Sequence, residues 1–200
     1  MKKKIVFDLG GVIFKLDFEN AISKLLNSKE KNFEELFKKW LLSKSVKLFE
    51  ANKITFEDFY QRMCIEFNLT LDFDKFTAIF KSLVIGPFEG VDEVFEELYN
   101  NYDIYFLSNI TAVHWEIMAE CDFVKKYLKK PFLSYQIGYV KPEKEIFQYV
   151  IKDLNVKAHE ILYFDDSKIN VDHALENGLK AFHTIGFDEV KNKLLELNCI

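Results

Sequence analysis

The fold class follows from one segment, Lys4-Ile-Val-Phe-Asp8-Leu-Gly-Gly-Val-Ile-Phe14. The three residues before Asp8 form an unbroken apolar run, which is typical of a strand buried on both faces of a parallel sheet. Asp8 comes at the carboxyl end of that strand, where open α/β sheets bind their ligands. The two glycines that follow allow a tight turn and the close approach of a ligand. The stretch alone leaves open a second interpretation, in which Asp8 only caps the turn.

The length and composition of the chain limit the class of protein to which it can belong. Its 200 residues, 49% hydrophobic and 16% aromatic, suffice for one packed core with a smaller satellite. The net charge of −5 argues against a general nucleic-acid binder, which would need a basic surface. No stretch has the ~18 apolar residues of a membrane span, and three widely spaced cysteines form no metal-binding pattern. We therefore expect a cytoplasmic monomer with no nucleic-acid or membrane partner.

A long region without strand signals follows the first strand and its turn. Between its two ends, Thr55 and Asp58 form the pattern of a capping box that opens a helix. Several helices in a row must pack on one another, so we expect residues 15–85 to form a small helical domain over the carboxyl edge of the sheet. The apolar residues at helical spacing are Phe33, Leu36, Phe37, Trp40 and Leu41 in one segment and Phe73, Phe76, Ile79, Phe80 and Leu83 in another.

From Gly86 onward, strand and helix patterns alternate. Short apolar runs predict strands at residues 104–107, 132–133, 161–164 and 181–184, with amphipathic helices between them. One of these helices is expected to start at Lys141-Pro-Glu143, because proline and acidic residues are typical of a first helical turn. Such alternation predicts a parallel sheet with helices on both faces. The expected fold is therefore α/β, with a Rossmannoid three-layer core made of residues 1–14 and 86–200.

Three of the expected strands end in polar residues: Asp8, Ser108-Asn109 and Asp165-Asp166. Parallel strands bring their carboxyl ends to one edge of the sheet, and the loop at Lys141 can reach the same crevice. Carboxylates that converge on one point are costly unless a proton or a cation lies between them. Oxygen ligands suit Mg²⁺, and hydroxyl, amide and ammonium donors suit a phosphate. In this arrangement Asp8 would be the nucleophile of a covalent mechanism.

These motifs, in this order, resemble those of the haloacid dehalogenase-like (HAD) superfamily. The likeness is closer to the subgroup that contains the bacterial α-D-glucose-1-phosphate phosphatase and the N-terminal phosphatase domain of soluble epoxide hydrolase. It implies a HAD-like core with a helical cap inserted after the first strand. The segments that carry it are Phe7-Asp-Leu-Gly-Gly-Val-Ile13, Asp17-Phe18, Ile54-Thr-Phe-Glu-Asp-Phe59, Leu107-Ser-Asn109 with His114, Lys141-Pro-Glu143, and Phe164-Asp-Asp166 with Asn170.

The resemblance implies an activity and a substrate class. The protein would be a phosphatase that hydrolyses a small phosphomonoester of the sugar-phosphate type through an aspartyl-phosphate intermediate. Asp8 would attack the phosphorus, and Lys141 would both bind the phosphoryl group and assist catalysis. Ser108 and Asn109 would bind phosphoryl oxygens. The cap would close over the substrate and exclude water during the first step.

The resemblance also implies Mg²⁺ as the cofactor. Asp8, Asp166 and the backbone carbonyl of Gly10 would hold the ion, and Asp165 would order the waters around it. One departure from the family pattern lies at Gly10, where most phosphatases of the superfamily carry a second aspartate that protonates the leaving oxygen. General acid assistance is typically worth ~10² to 10⁴ in rate. Another group would have to replace it, and Asp17 and His114 are the candidates.

Two rival functions remain open at this point. A metal-independent 2-haloacid dehalogenase also lacks the second aspartate, although the fourth motif, Asp165-Asp166, would then be surplus negative charge beside the nucleophile. Such enzymes tend to use a cap arginine, and Arg62, the one arginine in the chain, lies in a mid-helix pattern. The second rival is a catalytically weak phosphate-binding protein that keeps the fold without the acid.

Overall fold

The computed structural model describes residues 2–26 and 33–200, apart from the side chains of Leu26 and Phe33. Met1 and residues 27–32, which fall within the predicted helical region, lie outside the described residues. In chain order the elements are β1 (Lys3–Phe7), β2 (Phe14–Leu16), α1 (Phe18–Leu26), α2 (Phe33–Leu42), α3 (Lys44–Glu50), α4 (Phe56–Phe67), α5 (Phe73–Lys81), β3 (Val84–Pro87), α6 (Val91–Tyr99), β4 (Tyr102–Ser108), α7 (Ala112–Met118), α8 (Asp122–Tyr127), β5 (Leu128–Leu133), α9 (Ser134–Ile137), α10 (Lys144–Leu154), a 3-10 turn (Ala158–Glu160), β6 (Ile161–Asp165), α11 (Lys168–Glu176), β7 (Lys180–His183) and α12 (Phe187–Glu196).

Five strands form a parallel sheet in the order β5-β4-β1-β6-β7. β1 lies at its centre, where Phe7 pairs with Phe106 of β4 on one side and with Phe164 of β6 on the other. The chain builds the sheet outward from β1 in one direction and then in the other, so the strand order reverses beside β1. A crevice opens at such a point, at the carboxyl ends of the strands. The predicted parallel α/β fold is confirmed.

The two faces of the sheet carry separate apolar layers. Ile5 and Phe7 of β1 belong to the layer that contains Phe95 of α6, whereas Val6 belongs to the layer that contains Phe147 of α10. All of these side chains are fully buried. Successive residues of a strand point to opposite faces, and a helix layer covers each face here. For this reason the β1 sequence is apolar without interruption rather than alternating.

Helices α1–α5 have an apolar core of their own. Trp40, Phe59 and Phe80 lie within it and are buried, and the ring centroids of Trp40 and Phe80 are 6.3 Å apart. The predicted capping box at the start of α4 is confirmed. The Asp58 N–H donates to Thr55 Oγ1 (3.1 Å), and the Thr55 N–H donates to Asp58 Oδ2 (3.3 Å). The division of the chain into residues 1–14 with 86–200 and residues 15–85 stays a prediction.

Four local predictions need correction. β2 and β3 pair antiparallel where the chain enters and leaves the helical region, although no strands are predicted there. The six-residue helix α8 is also missing from the prediction, because it is too short for a periodic signal. Helix α10 begins at Lys144, with Glu143 as its N-cap, rather than at Lys141. Leu41 is 56% exposed because α2 turns its neighbour Trp40 toward the helical core instead.

In the described ranges, no helix is long and apolar enough to cross a membrane.

Candidate active site

Asp8 lies at the carboxyl end of the central strand β1. Its backbone N–H donates to the Phe164 carbonyl (2.8 Å), which extends the pairing of β1 with β6 by one residue. The Leu9 N–H donates to Asp8 Oδ1 (2.7 Å), so the turn itself orients the carboxylate. Gly11 has a φ of +72°, a conformation that residues with a Cβ rarely adopt. The sequence around Asp8 therefore fixes the carboxylate at the crevice before any ligand arrives.

Three carboxylates meet at this edge of the sheet. One oxygen each of Asp8, Asp165 and Asp166 lies within 4.8 Å of the others. A Cβ at Gly11 would lie 2.2 Å from Asp166 Oδ2, so glycine is what lets the Asp166 carboxylate approach the turn. Burial, together with the nearby Asp165 and Asp166 charges, raises the pKa of Asp8 to about 7, although Lys141 opposes this shift. Several oxygen ligands around one point suit Mg²⁺, and the donor set therefore fits that ion.

Lys141 supplies a positive charge inside the carboxylate cluster. Its Nζ lies 3.0 Å from Asp8 Oδ1 and 2.6 Å from Asp165 Oδ2, and the residue is only 4% exposed. Burial acts to lower the pKa of Lys141, but the Asp165 and Asp8 charges outweigh that effect and raise it.

The loop that carries Lys141 is fixed to Asn109. The Asn109 Nδ2 donates to the Lys141 carbonyl (2.9 Å), and the Lys141 N–H donates to Asn109 Oδ1 (2.7 Å).

Asp165 is fully buried and accepts hydrogen bonds from several donors. Lys141 Nζ and the Tyr163 hydroxyl donate to Oδ2, the Ser167 N–H donates to Oδ1 (2.8 Å), and Asn170 Nδ2 lies 3.0 and 3.2 Å from the two oxygens. These donors hold the carboxylate firmly and with it the Lys141 ammonium. The predicted role of Asp165, ordering waters around a metal, stays a prediction. The geometry adds a second task, which is to position Lys141.

A cavity of about 70 Å³ lies between the sheet edge and the helical region. Its core side includes Gly10, Ser108 and Asn109, and its helical side includes Phe49 and Glu50. Asp8, Lys141 and Asp166 are not part of its lining, but the hydrogen bonds between Asn109 and the Lys141 backbone connect the cavity to the carboxylate cluster. Sequence reasoning missed Glu50. No local pattern distinguishes it among the 32 acidic residues, because only tertiary packing brings the end of α3 to this cavity.

The two residues that we considered as replacement acids are engaged elsewhere. His114 is buried, and its Nε2 lies 2.8 Å from the Phe80 carbonyl oxygen, so this nitrogen is the donor. Burial lowers the pKa of His114 to about 4, although the bond to Phe80 opposes the shift. Asp17 accepts a hydrogen bond from the Asn20 N–H (3.0 Å) at the start of α1. Each side chain is thus already engaged in a local hydrogen bond.

Comparisons with known proteins agree with this geometry. D-ribitol-5-phosphate phosphatase from Bacteroides thetaiotaomicron is 29% identical over 192 residues, which cover 91% of this chain and 91% of that protein. The crystal structure of the HAD family enzyme bt-2542 from the same organism, in complex with magnesium and inorganic phosphate, is 28% identical. It superposes with a TM-score of 0.76 over 92% of this chain and 94% of that one.

The family assignment rests on a match over most of the chain. A HAD-like family hydrolase from Porphyromonas gingivalis has a TM-score of 0.82 over 99% of this chain and 98% of that one, and at 21% identity this likeness shows the fold alone. The sequence profile of the haloacid dehalogenase-like hydrolases matches residues 2–175, which include every predicted site residue. The chain therefore belongs to the haloacid dehalogenase-like hydrolase family.

Proposed function

We propose that the protein is a Mg²⁺-dependent phosphatase that hydrolyses a small phosphomonoester through an aspartyl-phosphate on Asp8. The observation that carries the proposal is the arrangement of Asp8, Asp165 and Asp166 around one point, with the Lys141 ammonium 3.0 Å from Asp8. A carboxylate at this position can attack phosphorus only if the charge of the incoming phosphate is offset. Lys141 and a divalent cation beside Asp166 would together offset it.

Each site residue has a task in this mechanism. Asp8 attacks the phosphorus, and the leaving oxygen departs from the opposite side of the phosphoryl group. Lys141, which Asp165 holds in place, contacts the phosphoryl oxygens, and the Ser108 hydroxyl and the Asn109 amide contribute further donors. Mg²⁺ would be held by Asp8, Asp166 and the carbonyl of Gly10, and would supply charge neutralisation for the phosphoryl group. Water then attacks the aspartyl-phosphate and restores the Asp8 carboxylate.

One relative supports a small substrate of the sugar- or alditol-phosphate type. The relative that is 29% identical is a D-ribitol-5-phosphate phosphatase. We also propose that residues 15–85 act as a cap over residues 1–14 and 86–200, because one wall of the cavity comes from each part. Closure of such a cap excludes water and selects the leaving group.

The rival dehalogenase function receives less support from the geometry. Such an enzyme works without a metal, and the carboxylates of Asp165 and Asp166 would then only add repulsion beside Asp8. Arg62 lies on the exposed side of α4 and is not part of the cavity wall. Both observations favour phosphate chemistry over the displacement of a halide.

The test is hydrolysis of p-nitrophenyl phosphate, D-ribitol 5-phosphate and α-D-glucose 1-phosphate in the presence of Mg²⁺ or EDTA. Turnover should require Mg²⁺ and should disappear in Asp8→Asn. The matched control is Asp172→Asn, because Asp172 is an exposed aspartate on α11 whose ion pair, among the residues that the structure describes, is with Lys168 alone. This control should retain full activity. If the folded protein hydrolyses none of these esters with Mg²⁺, the phosphatase function is wrong.

A further inference from the structure

We propose that Glu50 is the acid that protonates the leaving-group oxygen, in place of the carboxyl group that Gly10 lacks. The inference rests on the proposed phosphatase function and adds a catalytic residue from the cap. It explains how a chain with glycine at this position can still release a poor leaving group. The supporting observations are the placement of Glu50, the state of its carboxyl group and the engagement of the other candidates.

Glu50 lies on the cap side of the cavity next to the candidate site. It is the last residue of α3 and lines the same cavity as Gly10, Ser108 and Asn109. An acid for the leaving group must lie on the far side of the phosphoryl group from Asp8, which is the side of the cap. A side chain from the cap wall therefore has the correct direction of approach, whereas the side chains at the sheet edge surround the phosphoryl group itself.

The core of the protein holds the Glu50 backbone in place. Ser134 Oγ donates to the Glu50 carbonyl (2.7 Å) and accepts from the Ile110 N–H (3.0 Å). Ser134 is fully buried, and Ile110 directly follows Ser108 and Asn109 in the chain. One hydroxyl thus connects the end of α3 to the loop that carries the phosphate-binding residues. This bridge fixes the distance between Glu50 and the phosphoryl group more tightly than cap packing alone would.

The Glu50 carboxyl group is available to a ligand. Within residues 2–26 and 33–200, no group donates a hydrogen bond to it and no cation forms an ion pair with it. Burial raises the pKa of Glu50 to about 7, although the charges of Lys141 and Lys47 oppose the shift. A carboxyl group with a pKa near the working pH combines an available proton with an adequate tendency to donate it. The other two candidates are engaged elsewhere, His114 with the Phe80 carbonyl and Asp17 with the Asn20 N–H.

The proton transfer completes the phosphoryl transfer. An Asp8 oxygen forms a bond to phosphorus while the bond between phosphorus and the leaving oxygen breaks, and the electron pair of that bond stays on the oxygen. The Glu50 proton moves to this oxygen, which leaves an alcohol and the Glu50 carboxylate. In the second half, water attacks the phosphorus of the aspartyl-phosphate and gives its proton to Glu50. Inorganic phosphate leaves, and both carboxyl groups return to their starting states.

The experiment compares two aryl esters of matched shape, phenyl phosphate and p-nitrophenyl phosphate. The nitrophenolate ion is stable and leaves without a proton, whereas phenolate needs one. The measured quantity is kcat/KM, because it reports only the steps up to release of the alcohol. In Glu50→Gln we expect kcat/KM for phenyl phosphate to fall by ~10²- to 10⁴-fold, the usual contribution of a general acid. For p-nitrophenyl phosphate we expect a much smaller loss.

Three further variants complete the test. Glu57→Gln removes an exposed carboxylate of the cap, away from the cavity, and should change neither value. Glu50→Asp keeps the acid on a shorter side chain and should show a smaller version of the same contrast, even if Glu50→Gln folds poorly. Adding Gly10→Asp to Glu50→Gln should recover part of the loss with phenyl phosphate. A Cβ at Gly10 would lie 2.6 Å from Leu16 Cδ1 and 3.5 Å from Leu16 Cγ, so the Leu16 side chain has to move aside.

The outcomes separate this inference from the proposed function. Equal losses with the two esters, or no loss with either, would overturn the role of Glu50 while Mg²⁺-dependent turnover by the wild type still stands. No turnover of either ester by the folded wild type, with Mg²⁺ present, would instead remove the phosphatase function itself.

Discussion

Replacement of Lys141 by methionine tests the account of the buried charge cluster. Lys141 is 4% exposed, with its Nζ 3.0 Å from Asp8 Oδ1 and 2.6 Å from Asp165 Oδ2. Methionine keeps the approximate length of the side chain but removes the charge, which leaves the buried carboxylates without this partner. Removal of one member of a buried ion pair typically costs about 3–5 kcal/mol. We expect a loss of that size in the free energy of unfolding, measured by urea denaturation in EDTA.

The loss of unfolding free energy in Lys141→Met should depend on pH. Burial raises the pKa of Asp8 from 3.8 to about 7 in the folded protein. Over that interval the folded state holds a proton that the unfolded state has released, so stability falls as the pH rises. Without Lys141 the pKa of Asp8 rises further, and the fall continues to higher pH. The deficit of the variant relative to the wild type should therefore be larger at about pH 8 than at about pH 5.

Lys168→Met is the matched control for this experiment. Lys168 also pairs with an aspartate, Asp172 at 2.9 Å, but their side chains are 75% and 49% exposed. Exposed pairs contribute about 0–1 kcal/mol, so the same substitution should have little effect there. If Lys141→Met costs no more than Lys168→Met, or if its deficit is the same at both pH values, the reasoning about the charge cluster is refuted.

Three other substitutions have distinct expected outcomes. Gly11→Ala places a Cβ 2.2 Å from Asp166 Oδ2 at a φ of +72°. It should weaken Mg²⁺ binding, measured by calorimetry, and should lower stability by about 1–2 kcal/mol; unchanged Mg²⁺ affinity would contradict the role of Asp166. His114→Gln should lower stability by about 1–3 kcal/mol through the lost contact with the Phe80 carbonyl. It should lower kcat/KM for phenyl phosphate no more than for p-nitrophenyl phosphate, and a selective loss with phenyl phosphate would make His114 the acid. Thr55→Ala removes the N-cap of α4 and should cost about 1 kcal/mol in urea denaturation without a change in kcat; a large drop in kcat would mean that α4 is coupled to the site.

The sequence predicts where several residues of the candidate site lie, because their positions follow local patterns. Asp8 directly follows one apolar strand and Asp165 ends another, and the parallel topology brings such strand ends together whatever the details of packing. Lys141 has no periodic signal, and the resemblance to the family is what identifies it. Its fixation by Asn109, through a pair of hydrogen bonds between a side chain and a backbone 32 residues away, is visible only in the structure.

Features that depend on contacts between distant segments are missed. Glu50 reaches the cavity because Ser134 ties the end of α3 to Ile110, and nothing in the seven-residue sequence of α3 marks that contact. The β2–β3 pair escapes prediction for a similar reason, since two short segments about 70 residues apart are stabilised only by each other. Leu41 shows the opposite error, because its spacing places it in a predicted apolar stripe although the structure leaves it 56% exposed. Helical spacing identifies an apolar stripe but does not determine how much of the stripe finds a partner.

The central claim is that Asp8 becomes phosphorylated, and the most direct measurement is to trap that intermediate. The protein is mixed with p-nitrophenyl phosphate and Mg²⁺, quenched in acid within a single turnover, digested and analysed by mass spectrometry. We expect one added phosphoryl group on the peptide that contains Asp8, absent in EDTA and absent from Asp8→Asn. Turnover without any phosphorylated peptide, or a phosphoryl group on a different residue, would contradict it.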